Sequence, residues 1–202
     1  MRKKRIVVGV VGKYCSGKNT LADILSSYGY REIDVDKIGH EVLEASRDRI
    51  VEVFGRVVEA PGGGIDRKKL GAIVFAEREK LKLLEGILHP KMRERIRGII
   101  NNSEGNIVIN AALLYRMRLH EMCNVIICVK SPIYRLVLRG MKRDGLSLMG
   151  VVRRLWSQWG ICFKPRGCRV DTYSVWNIGS IEQFRSRALK LLRKYGLIEG
   201  NT

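Results

Sequence analysis

Apolar residues along this chain fall into short β-branched runs separated by stretches with helical spacing. Ile6 to Val11 (IVVGVV) is almost unbroken, the pattern of a strand covered on both faces of a parallel sheet. Arg31 to Ile33, Ile107 to Ala111, Val125 to Val129 and Tyr173 to Trp176 read as four further strands. Between the first two, Leu21, Ile24, Leu25 and Tyr28 recur at helical spacing and end at Gly29, a plausible C-terminal cap. Ile38 to Phe54 and Leu70 to Asn101 read as mostly helical, interrupted by Pro61-Gly62-Gly63-Gly64 and again at Pro90. A last helix opens at Ser180, where Gln183 completes capping-box spacing, and closes before Gly196. Strands alternating with helices predict an α/β fold with a central parallel sheet. There is no internal repeat and no low-complexity linker, so 202 residues are read as one domain.

Charge changes the picture. The formal net charge is +18, which points to a polyanionic partner: a nucleotide, a nucleic acid or a membrane headgroup. From Lys130 to Val170 there are ten Lys or Arg against one acid, Asp144, so a net +9 lies in this segment. Five cysteines without a repeating framework suit a reducing compartment, and Cys162 and Cys168 have no second His or Cys pair to complete a zinc site. The opening MRKKR and the apolar run after it are too short for a signal peptide, and no stretch reaches the roughly 20 apolar residues of a membrane span. A cytoplasmic protein that does not bind membranes is expected.

The candidate chemistry begins directly after the first strand, with GKYCSGKNT. Gly12, Gly17 and Lys18 have the spacing of a phosphate-binding loop, in the strand-loop-helix setting such a loop needs. A glycine-rich turn entering a helix aims several backbone N–H groups at one anion, and Lys18 would reach the terminal phosphates. Asn19 stands where a Ser or Thr hydroxyl normally touches magnesium; its amide oxygen is a candidate weakened or water-mediated ligand. The second strand ends in IDVD. Asp34 and Asp36 at the ligand edge of a sheet would orient or deprotonate an attacking hydroxyl, although their spacing alone equally suits solvated turn aspartates, one of them a helix cap. Trp156, Trp159 and Phe163, interleaved with basic residues, carry an alternative reading as a nucleic-acid-binding surface.

IVEVFG (50 to 55), GIDRKKLGAIVF (64 to 75), LEGILHP (84 to 90) and KRDGLS (142 to 147) follow in order. With GKYCSGKNT and IDVD, the chain resembles the dephospho-coenzyme A kinase family of P-loop kinases from about Ile6 to Gly179. The resemblance implies a five-stranded parallel sheet flanked by helices, with a core at about 1–36, 105–138 and 170–202. A helical region for dephospho-CoA would occupy about 37–104 and a lid about 139–169. It implies ATP-dependent phosphorylation of the ribose 3′-hydroxyl of dephospho-CoA, with magnesium. Asp36 matches the family's base, with Asp34 assisting; Lys18, Arg139 and Arg143 match its charge-stabilising groups. The ATP site would comprise Gly12, Lys13, Tyr14, Cys15, Ser16, Gly17, Lys18, Asn19 and Thr20, with Arg139, Arg143, Asn177 and Gly179. His40, His89 and Leu113 match the acceptor side, where His89 is equally well read as a packed structural histidine.

The chain departs from the pattern at Asn19, at Gly39-His40, and at Ala112 and Arg116 in the segment after the third strand. The stretch between Gln158 and Asn177 is about three residues longer than in the family. These departures leave open an ATP-binding protein with lost or altered activity. A monomer without nucleic acid is the expected state.

Overall fold

The computed structural model describes residues 5–158 and 160–199. The basic start before Arg5 and the base-stacking candidate Trp159 lie outside the described residues.

The chain divides into two compact units, residues 1–33 with 103–202, and residues 34–102. The first is built on a five-stranded sheet in the order β2-β3-β1-β4-β5, comprising β1 (Val7–Gly12), β2 (Arg31–Asp34), β3 (Ile107–Asn110), β4 (Val125–Lys130) and β5 (Asp171–Trp176). β1 pairs in parallel with β3 and β4, and β4 with β5. All six residues of β1 are buried, as its unbroken apolar run requires. On one face Leu21 and Leu25 of α1 (Lys18–Ser27) meet Val8, Val10, Ile127 and Val129. Phe184, Ala188 and Leu192 of α8 (Ile181–Lys194) close the same cluster.

α8 starts where its capping box predicts. Gln183 N donates to Ser180 Oγ (3.3 Å), while Ser180 N donates to Gln183 Oε1 (3.2 Å). Ser180→Ala removes one of these partners and is expected to lower unfolding free energy by about 1 kcal/mol, measured by denaturant titration.

Residues 34–102 carry four helices: α2 (Val35–Ala45), α3 (Arg47–Phe54), α4 (Arg67–Ala76) and α5 (Arg78–Asn101). Their core holds Leu43, Ile50, Val58, Ile65, Leu70 and Val74. The Pro61 to Gly64 turn is present, bracketed by an antiparallel bridge between Glu59 and Ile65.

Ile38 to Phe54 is mostly helical, as expected; Ser46, buried, with its hydroxyl accepting from Lys91 Nζ (3.0 Å), divides it into α2 and α3. One expectation is corrected here. Pro90 does not interrupt α5, which runs unbroken for 24 residues. The carbonyl that Pro90 deprives of a donor belongs to Gly86, and both residues are exposed, so water can take the missing donor's place.

Before β5, the first unit carries a helical hairpin of α6 (Ile133–Asp144) and α7 (Leu148–Ser157). Leu136, Val151 and Leu155 of this pair pack with Tyr14 of the loop after β1.

Candidate active site

The loop from Lys13 to Gly17 links β1 to α1 through two residues with positive φ, Cys15 (56°) and Gly17 (101°). Such a backbone turns consecutive N–H groups toward a common point, and the N-terminus of α1 adds its dipole. Glycine is required at 17 on two counts: its φ, and the 2.4 Å that would separate an added Cβ from Asn177 Nδ2. Ser16 is 1% exposed, and its hydroxyl has no partner among the described residues. An orphaned donor in such a loop suits an anion.

A cavity of about 530 Å³ opens beside this loop. Lys18, Arg139, Lys142 and Arg143 line it together with Asn19 and Thr20. Four cations around a helix N-terminus make a site for a multiply charged anion.

Arg139 ties the cavity to the sheet. Its Nη1 donates to the Cys15 carbonyl and to Ser131 Oγ (both 3.4 Å), and its Nη2 to Asn177 Oδ1 (3.0 Å). Burial and the nearby Arg135 lower its pKa. Asn177, buried after β5, completes the circuit by donating Nδ2 to the Ser16 carbonyl (2.8 Å). Its side chain therefore braces the loop; Gly179 nearby accepts from Arg135 Nη1 through its carbonyl (2.9 Å).

Tyr14 fastens the helical hairpin to the loop. Its N–H donates to Gln158 Oε1 (2.6 Å) and its hydroxyl to Asp144. The guanidinium groups of Arg143 and Arg154 each lie 4.9 Å from its ring centre, and both bond to Asp144, at 2.8 and 3.0 Å. The partner role of Arg154, Gln158 and Asp144 was not legible in the chain, because Tyr14 and Asp144 are 130 positions apart.

Arg143 and the Tyr14 hydroxyl hold the Asp144 carboxyl down at about 2. A depressed carboxylate favours the folded form above its ordinary range, and that contribution is lost as pH falls through about 2. Asp144→Asn is thus expected to loosen at neutral pH what acid loosens in the unaltered chain only near pH 2. Hydrogen exchange of α6 and α7 amides checks this, with faster exchange expected in the variant.

The remaining candidates belong to the 34–102 unit or lie in the turn after β3. Asp34 is the N-cap of α2, accepting from the N–H groups of Asp36 (3.0 Å) and Lys37 (3.2 Å), so the cap reading applies to it. Asp36 is exposed in the first turn of the same helix, and His40 is exposed further along it. His89 is half-buried in α5, and Leu113 is half-buried in the turn after β3.

A family model described as dephospho-CoA kinase matches residues 6–166. A dephospho-CoA kinase of Carboxydothermus hydrogenoformans is 31% identical over 196 residues, 94% of either chain. The chain belongs to the dephospho-CoA kinase family. A second relative of that name, from Borreliella burgdorferi, is 39% identical over 133 residues, a match that spans 65% of this chain and 65% of that relative's length. Among solved structures, a Thermus thermophilus protein superposes with a TM-score of 0.80 at 29% identity, covering 96% of this chain and 98% of its own. The dephospho-CoA kinase of Campylobacter jejuni gives 0.69 at 28%, covering 95% and 98%. The five-stranded parallel sheet flanked by helices is thus the fold of the family.

ATP-using kinases of this kind work with a divalent metal. At position 19 the Asn19 amide oxygen accepts from Asn110 Nδ2 (3.2 Å), which occupies one of its two lone pairs. Among the described residues there is no cluster of three or more His, Cys, Asp or Glu that could hold an ion. Among the described residues no helix is long and apolar enough to cross a membrane.

Proposed function

We propose that this chain transfers the γ-phosphoryl group of ATP to the ribose 3′-hydroxyl of dephospho-CoA, giving coenzyme A and ADP. The observation that carries this reading is the cation-lined cavity at the phosphate loop, in a chain of this family. The hydroxyl oxygen bonds to the γ-phosphorus as the bond to the bridging oxygen of ADP breaks, and the hydroxyl proton passes to the Asp36 carboxylate. Backbone N–H groups between Gly12 and Thr20 hold the phosphates, and Lys18, Arg139 and Arg143 offset charge on the moving group. Asn177 holds the loop that receives ATP, and Gly179 lies beside it.

Asp34 positions Asp36 by capping the helix that carries it. His40, His89 and Leu113 are assigned to the acceptor side. Magnesium is the proposed metal, carried on the nucleotide. The enzyme is proposed to act in the cytoplasm as a monomer.

The test is ADP release by the purified protein with ATP and magnesium, with and without dephospho-CoA. Release that requires dephospho-CoA, with one phosphate added to it by mass, supports the reading. ATP binding without transfer overturns it in favour of a nucleotide-binding protein that has lost the reaction. Salt-sensitive binding to RNA or DNA with no nucleotide turnover overturns it in favour of a nucleic-acid-binding protein.

A further inference from the structure

Three polar side chains from separate elements form a hydrogen-bonded row that ends at the cavity. Asn110, the last residue of β3, is 6% exposed and lies at the centre. Its Nδ2 donates to Glu32 Oε1 of β2 (2.9 Å) and to Asn19 Oδ1 of α1 (3.2 Å).

The row has a direction, and one residue sets it. An ionised carboxylate only accepts, so Glu32 obliges Asn110 to face it with the amide nitrogen rather than the oxygen. That nitrogen carries a second N–H, which goes to Asn19. Asn19 must receive it through oxygen. With its oxygen turned to Asn110, Asn19 presents to the cavity its amide nitrogen, a group with two donors and no lone pair for a cation. Asn19 is exposed and lines the cavity beside Lys18 and Thr20.

We propose that Asn19 is a donor to a phosphate oxygen of the nucleotide, oriented for that purpose by Glu32 acting through Asn110. The inference rests on the ATP reading above. It makes Glu32 and Asn110 positioning residues and gives position 19 a task that needs no metal. An amide aimed at an anionic oxygen forms a charge-assisted hydrogen bond, and one that is already oriented requires no rearrangement when ATP arrives.

The decisive quantity is ATP affinity measured twice, in excess magnesium and in excess EDTA, for the unaltered chain, Asn19→Leu and Glu32→Gln. Leu is close to Asn in size and cannot donate. It is expected to weaken binding about tenfold in both media, leaving the ratio between them unchanged. Gln at 32 accepts or donates equally well, so the row loses its direction. If Asn19 then presents its nitrogen about half the time, affinity falls about twofold in both media.

A loss from Asn19→Leu confined to magnesium would overturn the inference and make Asn19 a metal ligand. Unchanged affinity in both media would make it a bystander. Unchanged affinity in Glu32→Gln would remove Glu32 from the account. If the unaltered chain binds no ATP in either medium, the proposed function itself fails, a result distinct from all of these. Positions 19 and 32 are both exposed, and melting curves run beside the titrations confirm that the variants are folded.

Discussion

Asp36→Asn is expected to lower kcat by roughly 10²- to 10⁴-fold while leaving the fold and ATP affinity nearly unchanged. The substitution keeps size and hydrogen-bonding ability but removes the carboxylate that takes the hydroxyl proton. The helix start should survive. Asp34 caps α2 by accepting from the backbone N–H of Asp36, which asparagine retains. The side chain is exposed, and surface substitutions of this kind usually change stability by no more than about 0.5 kcal/mol. Steady-state kinetics in both substrates with a melting curve make the check. If turnover falls by less than about tenfold, proton transfer at Asp36 is not part of the reaction.

Arg139→Ala should have the second largest effect, a fall in kcat of roughly 10²- to 10³-fold, comparable to removing one donor from an oxyanion site. It has a structural component that Asp36→Asn lacks. Arg139 bonds the Cys15 carbonyl, Ser131 and Asn177, and Asn177 is 5% exposed. Deleting the guanidinium leaves the Asn177 amide oxygen buried without that donor, at a cost of about 1–3 kcal/mol. The variant should therefore melt earlier as well as turn over more slowly. Arg139→Lys should recover little, because one ammonium cannot bridge points that a planar fork spans. Near-normal kcat in Arg139→Lys would show that charge alone suffices and that the fork geometry is incidental.

How much of this was legible in the chain depends on how locally each feature is encoded. The five strands and the capping box of α8 rest on neighbouring residues, and pattern reading finds them. The phosphate loop is likewise local, since Gly12, Gly17 and Lys18 sit within one turn of chain. Pro90 misled because its cost depends on whether the deprived carbonyl faces water, which sequence does not display. The place where Ser46 divides α2 from α3 was not read from the chain, and its partner Lys91 lies 45 positions away. The row from Glu32 through Asn110 to Asn19 joins residues 78 and 91 positions apart, none of which belongs to a recognisable motif with the others. Asn19 could be flagged as a departure from the pattern, but its meaning depended on what stood opposite.

The bond from Tyr14 to Asp144 places one end of a fastening in the phosphate loop and the other on α6. Two equilibria that share such a fastening obey reciprocity. By whatever factor bound ATP favours the docked hairpin over the undocked one, docking must favour bound ATP over free ATP by the same factor. Severing the fastening at Asp144 therefore weakens the coupling in both directions at once. A titration of nucleotide affinity and a measurement of hairpin docking then report a single coupling free energy from its two sides.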